Sequence, residues 1–174
     1  IRRAGEDIAT GEIVVPKGTL LTAVHLGLLA SVGVAQVKVF KRLTVGVMVT
    51  GSELQSPGQA LLPGQIYNSN EYVWSGFLHA LHVQVRSVGV VRDSLEATCH
   101  ALESLAECDV IVSSGGVSVG EEDHVKPAVE RVGQLHSWKV AMKPGKPIAF
   151  GKVNRPSGGH SWFFGLPGNP VSSA

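Results

Sequence analysis

The sequence predicts an α/β fold: a three-layer domain with a mostly parallel sheet and helices on both faces, preceded by a small α+β segment. Three observations carry this prediction. Val45-Gly46-Val47-Met48-Val49 and Val110-Ile111-Val112 are short apolar runs, the pattern of parallel strands covered on both faces. Segments with apolar residues at helical spacing alternate with them. Glycine-bearing polar loops leave the strand ends at Gly51-Ser52-Glu53 and at 113–123, where open parallel sheets bind their ligands.

Residues 1–42 are expected to form a separate piece. Val14-Val15-Pro16-Lys17-Gly18-Thr19 reads as a strand running into a turn. Thr22 caps a short helix through Leu26, Leu29 and Ala30, with Gly33 just past its end. Val37-Lys38-Val39-Phe40 reads as a strand, and Lys41-Arg42 as a polar joint. From residue 43 strand and helix alternate. After the strand at 45–49 comes a long loop, Gly51 to Ser69, with three glycines and two prolines; loops of that length are usually functional or mobile. Asn70 is the expected cap of a helix whose Val73, Phe77, Ala80 and Leu81 fall on one apolar face, at i, i+4, i+7 and i+8. Val85 to Val91 is a strand. Asp93 is the expected cap of the next helix, with Glu96 at the capping-box position and Leu95, Cys99, Leu102 and Ala106 on one face. The strand at 108–112 follows, then the glycine loop, a helix near 124–132 and a strand near 137–142.

Composition narrows the function. Hydrophobic residues make up 44% and charged residues 17%, which supports a packed core. Fifteen basic and 14 acidic residues give a net charge of +1, so there is no electrostatic footprint for nucleic acid or an anionic membrane. No apolar run reaches the roughly 20 residues of a membrane helix. The start of the chain lacks the apolar region of a signal peptide. Cys99 and Cys108 do not pattern as a disulfide scaffold, which points to a reducing cytoplasm. With no initiator Met and an end just after a turn, the chain is expected to be a piece of a larger protein.

The loop Ser113-Ser114-Gly115-Gly116-Val117-Ser118-Val119-Gly120-Glu121-Glu122-Asp123 is the strongest local signal. Glycines let a ligand approach main-chain N–H groups, oriented N–H groups cradle an anion, and the acids beyond suit a hard cation such as Mg²⁺. The loop is neither a Walker P-loop nor a Rossmann fingerprint. A tight turn with an acidic helix start is the weaker alternative, because acids favour a helix N-terminus for dipole reasons alone. Glu53 and Asp93 follow other strands and share the expected rim. Lys139, Lys143 and Lys146 lie in Trp138-Lys139-Val140-Ala141-Met142-Lys143-Pro144-Gly145-Lys146-Pro147 and offer point charges for phosphate or an oxyanion. Phe164-Gly165-Leu166-Pro167-Gly168-Asn169-Pro170 is a rigid turn after a strand. His79 and His82 stand three apart with no further metal ligand in view. The sequence holds no Ser-His-Asp elbow and no context for a Cys nucleophile.

Together these segments resemble the molybdopterin molybdotransferase family, which comprises bacterial MoeA and the E-domain of gephyrin. The resemblance runs nearly the whole length. It includes Arg2-Arg3-Ala4-Gly5-Glu6-Asp7-Ile8, Thr50-Gly51-Ser52-Glu53-Leu54, Gln65-Ile66-Tyr67-Asn68-Ser69-Asn70, Val91-Arg92-Asp93, Ser113 to Asp123, Lys139 to Pro147, and Gly165 to Pro170.

The resemblance implies that residues 1–42 are the C-terminal part of the family's linking domain. Residues 43–174 would be its molybdopterin-binding domain, truncated at the C-terminus. The implied activity is that of a transferase of molybdenum cofactor biosynthesis. It inserts molybdate-derived molybdenum into adenylylated molybdopterin and releases AMP with the help of Mg²⁺. On this reading Glu53, Asp93 and Asp123 are the metal-handling and catalytic acids, and Lys139 and Lys143 hold molybdate or phosphate. Thr50, Gly51, Ser113, Ser114, Gly115, Gly116, Ser118, Gly120, Lys146, Pro167, Asn169 and the linking-domain Asp7 line the substrate. The family also implies a homodimer for the full-length protein, contacts with other cofactor-assembly proteins and a cytoplasmic location. Ser52 stands where the family usually has Asp, which removes one carboxylate from the rim. A scaffold or binding module on the same fold, without turnover, is the competing reading. A generic nucleotide-binding α/β domain is a third.

Overall fold

The computed structural model describes residues 3–117, 123–138 and 148–169. The chain divides into two compact units, Ile1–Lys41 and Arg42–Ala174.

In the first unit Thr22 opens helix α1 (Ala23–Ser31), its N–H donating to His25 Nδ1 at 3.1 Å. The helix stops in a Schellman motif. The N–H of Gly33, at φ 81°, reaches Ala30 O, and that of Val34 reaches Leu29 O, both at 3.0 Å. The strands expected at 14–19 and 37–40 do not form. A strand needs a neighbour for its backbone N–H and C=O groups. No such neighbour stands beside these runs among the described residues, and Phe40 is left 87% exposed.

The second unit is built on a six-stranded sheet. Its strands are β1 (Thr44–Thr50), β4 (Gln84–Val91), β5 (Val110–Ser114), β6 (Gly133–Trp138), β7 (Ala149–Asn154) and β8 (His160–Leu166), in the order β4-β1-β5-β8-β7-β6. β4, β1, β5 and β8 are mutually parallel; β7 and β6 add an antiparallel edge. Residues 45–50 are all buried, as a central strand covered on both sides requires. Met48 and Ile111 face a cluster that includes Leu102 and Leu105 of helix α3 (Leu95–Leu105) and Ala128 and Val129 of helix α4 (Val125–Val132). Their sequence neighbours Val47 and Val112 face the opposite way, toward Leu78 of helix α2 (Asn70–Ala80). Strand alternation thus puts helices on both faces, as expected.

Five sequence expectations change. The face of α2 expected to pack inward, Val73, Phe77, Ala80 and Leu81, is not the buried one: Phe77 and Leu81 are exposed and Leu78 is buried instead. Ser94, not Asp93, caps α3, accepting from Ala97 N at 3.2 Å. Asn70 is the first residue of α2 rather than its cap, and Asn68 Oδ1 accepts from Glu71 N at 3.3 Å instead. The strand expected near 137–142 begins earlier, at Gly133, because it pairs antiparallel with β7. The long loop is not wholly irregular: β2 (Leu54–Gln55) and β3 (Ile66–Tyr67) pair within it. The antiparallel β7–β8 hairpin was not read individually. Its turn, Arg155-Pro156-Ser157-Gly158-Gly159, carries a clear breaker signal, and Phe150 supports the pair by stacking on Trp162 at 5.4 Å.

Candidate functional site

The carboxyl ends of β1, β5 and β8 lie side by side and emit the loops the sequence singles out. Beside them, Gly51 N meets Val91 O of β4 at 3.5 Å, and Asp93 Oδ2 accepts from Ser52 N at 2.7 Å. The structure therefore brings Thr50, Gly51, Ser52, Glu53 and Asp93 to one rim. Asp93 positions the 51–53 turn rather than the helix after it. Glu53 is exposed, and its main-chain oxygen accepts from Ile66 N at 2.9 Å.

The loop after β5 takes a path only glycine permits. Gly115 has φ +90° and Gly116 φ +64°. A Cβ on Gly115 would lie 2.6 Å from the backbone oxygen of Thr50, and one on Gly116 would lie 2.5 Å from Val125 Cγ2. The loop thus folds down over Thr50 at the end of β1. Gly115 N is engaged by Leu166 O at 3.1 Å, so any anion cradle begins beyond it.

On the α2 side, Asn70 Nδ2 donates to Ser114 Oγ and to Gly168 O, each at 2.7 Å. Ser114 Oγ lies 3.4 Å from Pro167 O. Asn70, Ser114, Pro167 and Gly168 thus join the ends of β5 and β8. Buried polar groups are normally paired. Yet Thr50 Oγ1, Ser113 Oγ and Asn70 Oδ1 are buried at this rim with no partner among the described residues. Each such group costs about 1–3 kcal/mol. Their concentration at one end of the sheet marks a place where stability is given up.

Asp123 sits at the start of α4, where Oδ1 accepts from Val125 N at 3.1 Å. Asn169 is exposed at the end of the β8 turn, and Pro167 is buried. Asp7 is exposed in the first unit. Ser118, Gly120, Lys139, Lys143 and Lys146 lie outside the described residues. Among the described residues no three His, Cys, Asp or Glu side chains come together to hold a metal; that includes Glu53, Asp93 and Asp123, and the His79–His82 pair. Cys99 and Cys108 are both buried, and burial pushes both thiols above their usual value, so neither supplies a thiolate near neutral pH. Asn70 is the rim residue that sequence reasoning took for a helix cap. Its position between a strand-pairing loop and a helix was the signal available.

Two family models match the chain. One, described as "Probable molybdopterin binding domain", covers residues 46–174, and the other, the MoeA N-terminal region (domain I and II), covers residues 1–33. The chain is 46% identical to a molybdopterin molybdenumtransferase of Haemophilus influenzae over 99% of its own length and 42% of the relative's. It is 34% identical to gephyrin of Dictyostelium discoideum over 99% of its length and 27% of that protein. The crystal structure of a molybdopterin biosynthesis MoeA protein from Pyrococcus horikosii superposes with a TM-score of 0.82 at 35% identity, covering 97% of this chain and 41% of that one. The chain spans less than half the length of these relatives. Among the described residues no helix is long and apolar enough to cross a membrane.

Proposed function

The chain belongs to the molybdopterin-binding-domain family, and from that premise we propose that its rim seats the phosphates of adenylylated molybdopterin during molybdenum insertion. The observation that carries the reading is the Gly115–Gly116 loop folded onto Thr50, at a rim where Thr50 Oγ1, Ser113 Oγ and Asn70 Oδ1 are buried with no partner among the described residues. That arrangement offers main chain and hydroxyls to an anion at the carboxyl end of a parallel sheet. The whole reaction is that of a molybdopterin molybdotransferase: molybdate is the second substrate and AMP is released.

On this reading the chain's residues act by holding, not by nucleophilic attack. Gly116 and the residues after it cradle phosphate. Thr50 and Ser113 offer hydroxyls at the strand ends. Asp93 fixes the Gly51–Glu53 turn through Ser52 N and so sets the far wall. Lys139 and Lys143 hold the incoming tetra-oxyanion near the dithiolene, which is catalysis by proximity. Lys146, Ser118 and Gly120 extend the contact to the nucleotide. These roles rest on the resemblance. For Mg²⁺, the described acids do not assemble a site by themselves, and no step here runs through it. Homodimerisation of the longer protein, its contacts with other assembly proteins and its cytoplasmic location belong to the same proposal and rest on the resemblance.

Calorimetric titration with adenylylated molybdopterin, AMP and molybdate tests the reading. The pterin nucleotide should bind at least roughly tenfold more tightly than AMP, a difference of about 1.4 kcal/mol. Equal affinity for both would leave a plain nucleotide-binding domain. For the longer protein, pterin binding without molybdate-dependent AMP release would favour the scaffold.

A further inference from the structure

Two buried asparagines stand two residues apart before and in α2, and they behave differently. Asn68, 2% exposed, closes a local loop: Nδ2 donates to Glu71 Oε2 at 2.9 Å and Oδ1 accepts from Glu71 N at 3.3 Å. Among the described residues the side chain of Asn70, 7% exposed, bonds to distant chain, Ser114 and Gly168. The orientation of its amide is dictated by chemistry. A carbonyl only accepts, so the amide atom 2.7 Å from Gly168 O must be nitrogen. Its other hydrogen goes to Ser114 Oγ, which leaves the Ser114 proton to point toward Pro167 O at 3.4 Å. One side chain on α2 therefore bridges the end of β5 to the turn after β8. The two segments are close: a Cβ on Gly168 would lie 3.6 Å from Gly115 Cα. Asn70 Oδ1 meanwhile stays buried with no partner among the described residues, which a residue selected for packing alone would avoid.

Resting on the reading of this rim as the pterin-nucleotide seat, we propose that Asn70 is its positioning residue. It clamps the Gly115–Gly116 loop against the Pro167–Gly168 turn, so that the cradle is formed before ligand arrives. Preformed geometry lowers the ordering cost of binding.

The test compares Asn70→Ala, the isosteric Asn70→Asp and the control Asn68→Ala in this chain. Three quantities are read: amide hydrogen exchange of residues 113–117 and 166–169, affinity for adenylylated molybdopterin, and melting temperature. Both Asn70 variants should speed exchange in the two segments together and weaken binding about tenfold or more, a loss of about 1.4 kcal/mol. Asn70→Asp keeps the shape, so its matching loss would identify the donor as what matters. Asn68→Ala should lower the melting temperature yet leave both segments and the affinity as in the wild type. Unchanged exchange in the Asn70 variants, or an equal affinity loss in Asn68→Ala, would overturn the clamp. If Asn70→Ala does not fold, Ser114→Ala removes the same relay and should loosen the same segments. If the wild type binds no pterin nucleotide, the functional reading fails, and the exchange data still decide the clamp.

Discussion

The two ends of the central sheet are built from the same strands and treat polar groups in opposite ways. At the amino end, Asp109 Oδ2 accepts from Thr44 N at 2.8 Å, and Arg155 donates to Cys108 O at 2.7 Å and lies 3.5 Å from Asp109 Oδ1. Ser161 donates to Cys108 O, and Glu107 takes two bonds from Ser157. Arg155 Nε is the orphan at that end among the described residues. At the carboxyl end, Thr50 Oγ1, Ser113 Oγ and Asn70 Oδ1 all lack a partner among the described residues. Nothing about strand geometry requires this asymmetry. One end spends its polar groups on stability, and the other holds them back at the place where parallel sheets receive ligands.

The largest effect expected from breaking this contrast is at Gly115. Gly115→Ala pushes a Cβ to 2.6 Å from the Thr50 carbonyl in a left-handed backbone. It should cost about 1–3 kcal/mol of stability. It should also weaken pterin-nucleotide binding roughly a hundredfold in calorimetry, about 2.7 kcal/mol. Asp109→Ala, at the other end, strips Thr44 N of its partner and should cost about 1–3 kcal/mol in urea unfolding. Its affinity should match the wild type. Thr50→Val sharpens the comparison: removing a hydroxyl with no partner among the described residues should leave stability within about 1 kcal/mol or raise it, while binding falls about tenfold. A stability loss with affinity intact would mean that Thr50 is merely structural.

The smallest effect is a pH dependence. The Ser157 hydroxyl, then its main-chain N–H, hold the Glu107 carboxyl below its usual value of 4.5. The folded value is the depressed one. The contribution is therefore complete above the unfolded value near 4.5 and is lost as pH falls through the folded value. In Ser157→Ala the main-chain N–H still donates to Glu107, so the acid-side dependence of unfolding midpoints should shrink rather than vanish, with little change at neutral pH.

How much of this was legible follows from where each signal originates. β1 and β5 were readable because strands buried on both faces must be apolar throughout. α1 and α3 were readable from periodicity, but the α3 cap was misplaced by one residue because Asp93 and Ser94 are both good caps and tertiary contact decides between them. The strands expected in residues 1–41 have the right composition and lack a partner, which composition does not encode. The rim was legible as loops at strand ends. The role of Asn70 was not, because its partners lie 44 and 98 residues away. The lysine segment carries a strong charge pattern but falls outside the described residues.

The claim that the carboxyl end of the sheet is the ligand seat is tested most directly by mapping backbone amide NMR shifts during titration with adenylylated molybdopterin. The largest perturbations should fall on residues 50–53, 115–117 and 168–169, with Asp109, Ser157 and Ser161 unmoved. Perturbations centred on the Asp109–Ser161 end, or none at the glycine loop under saturating ligand, would contradict it.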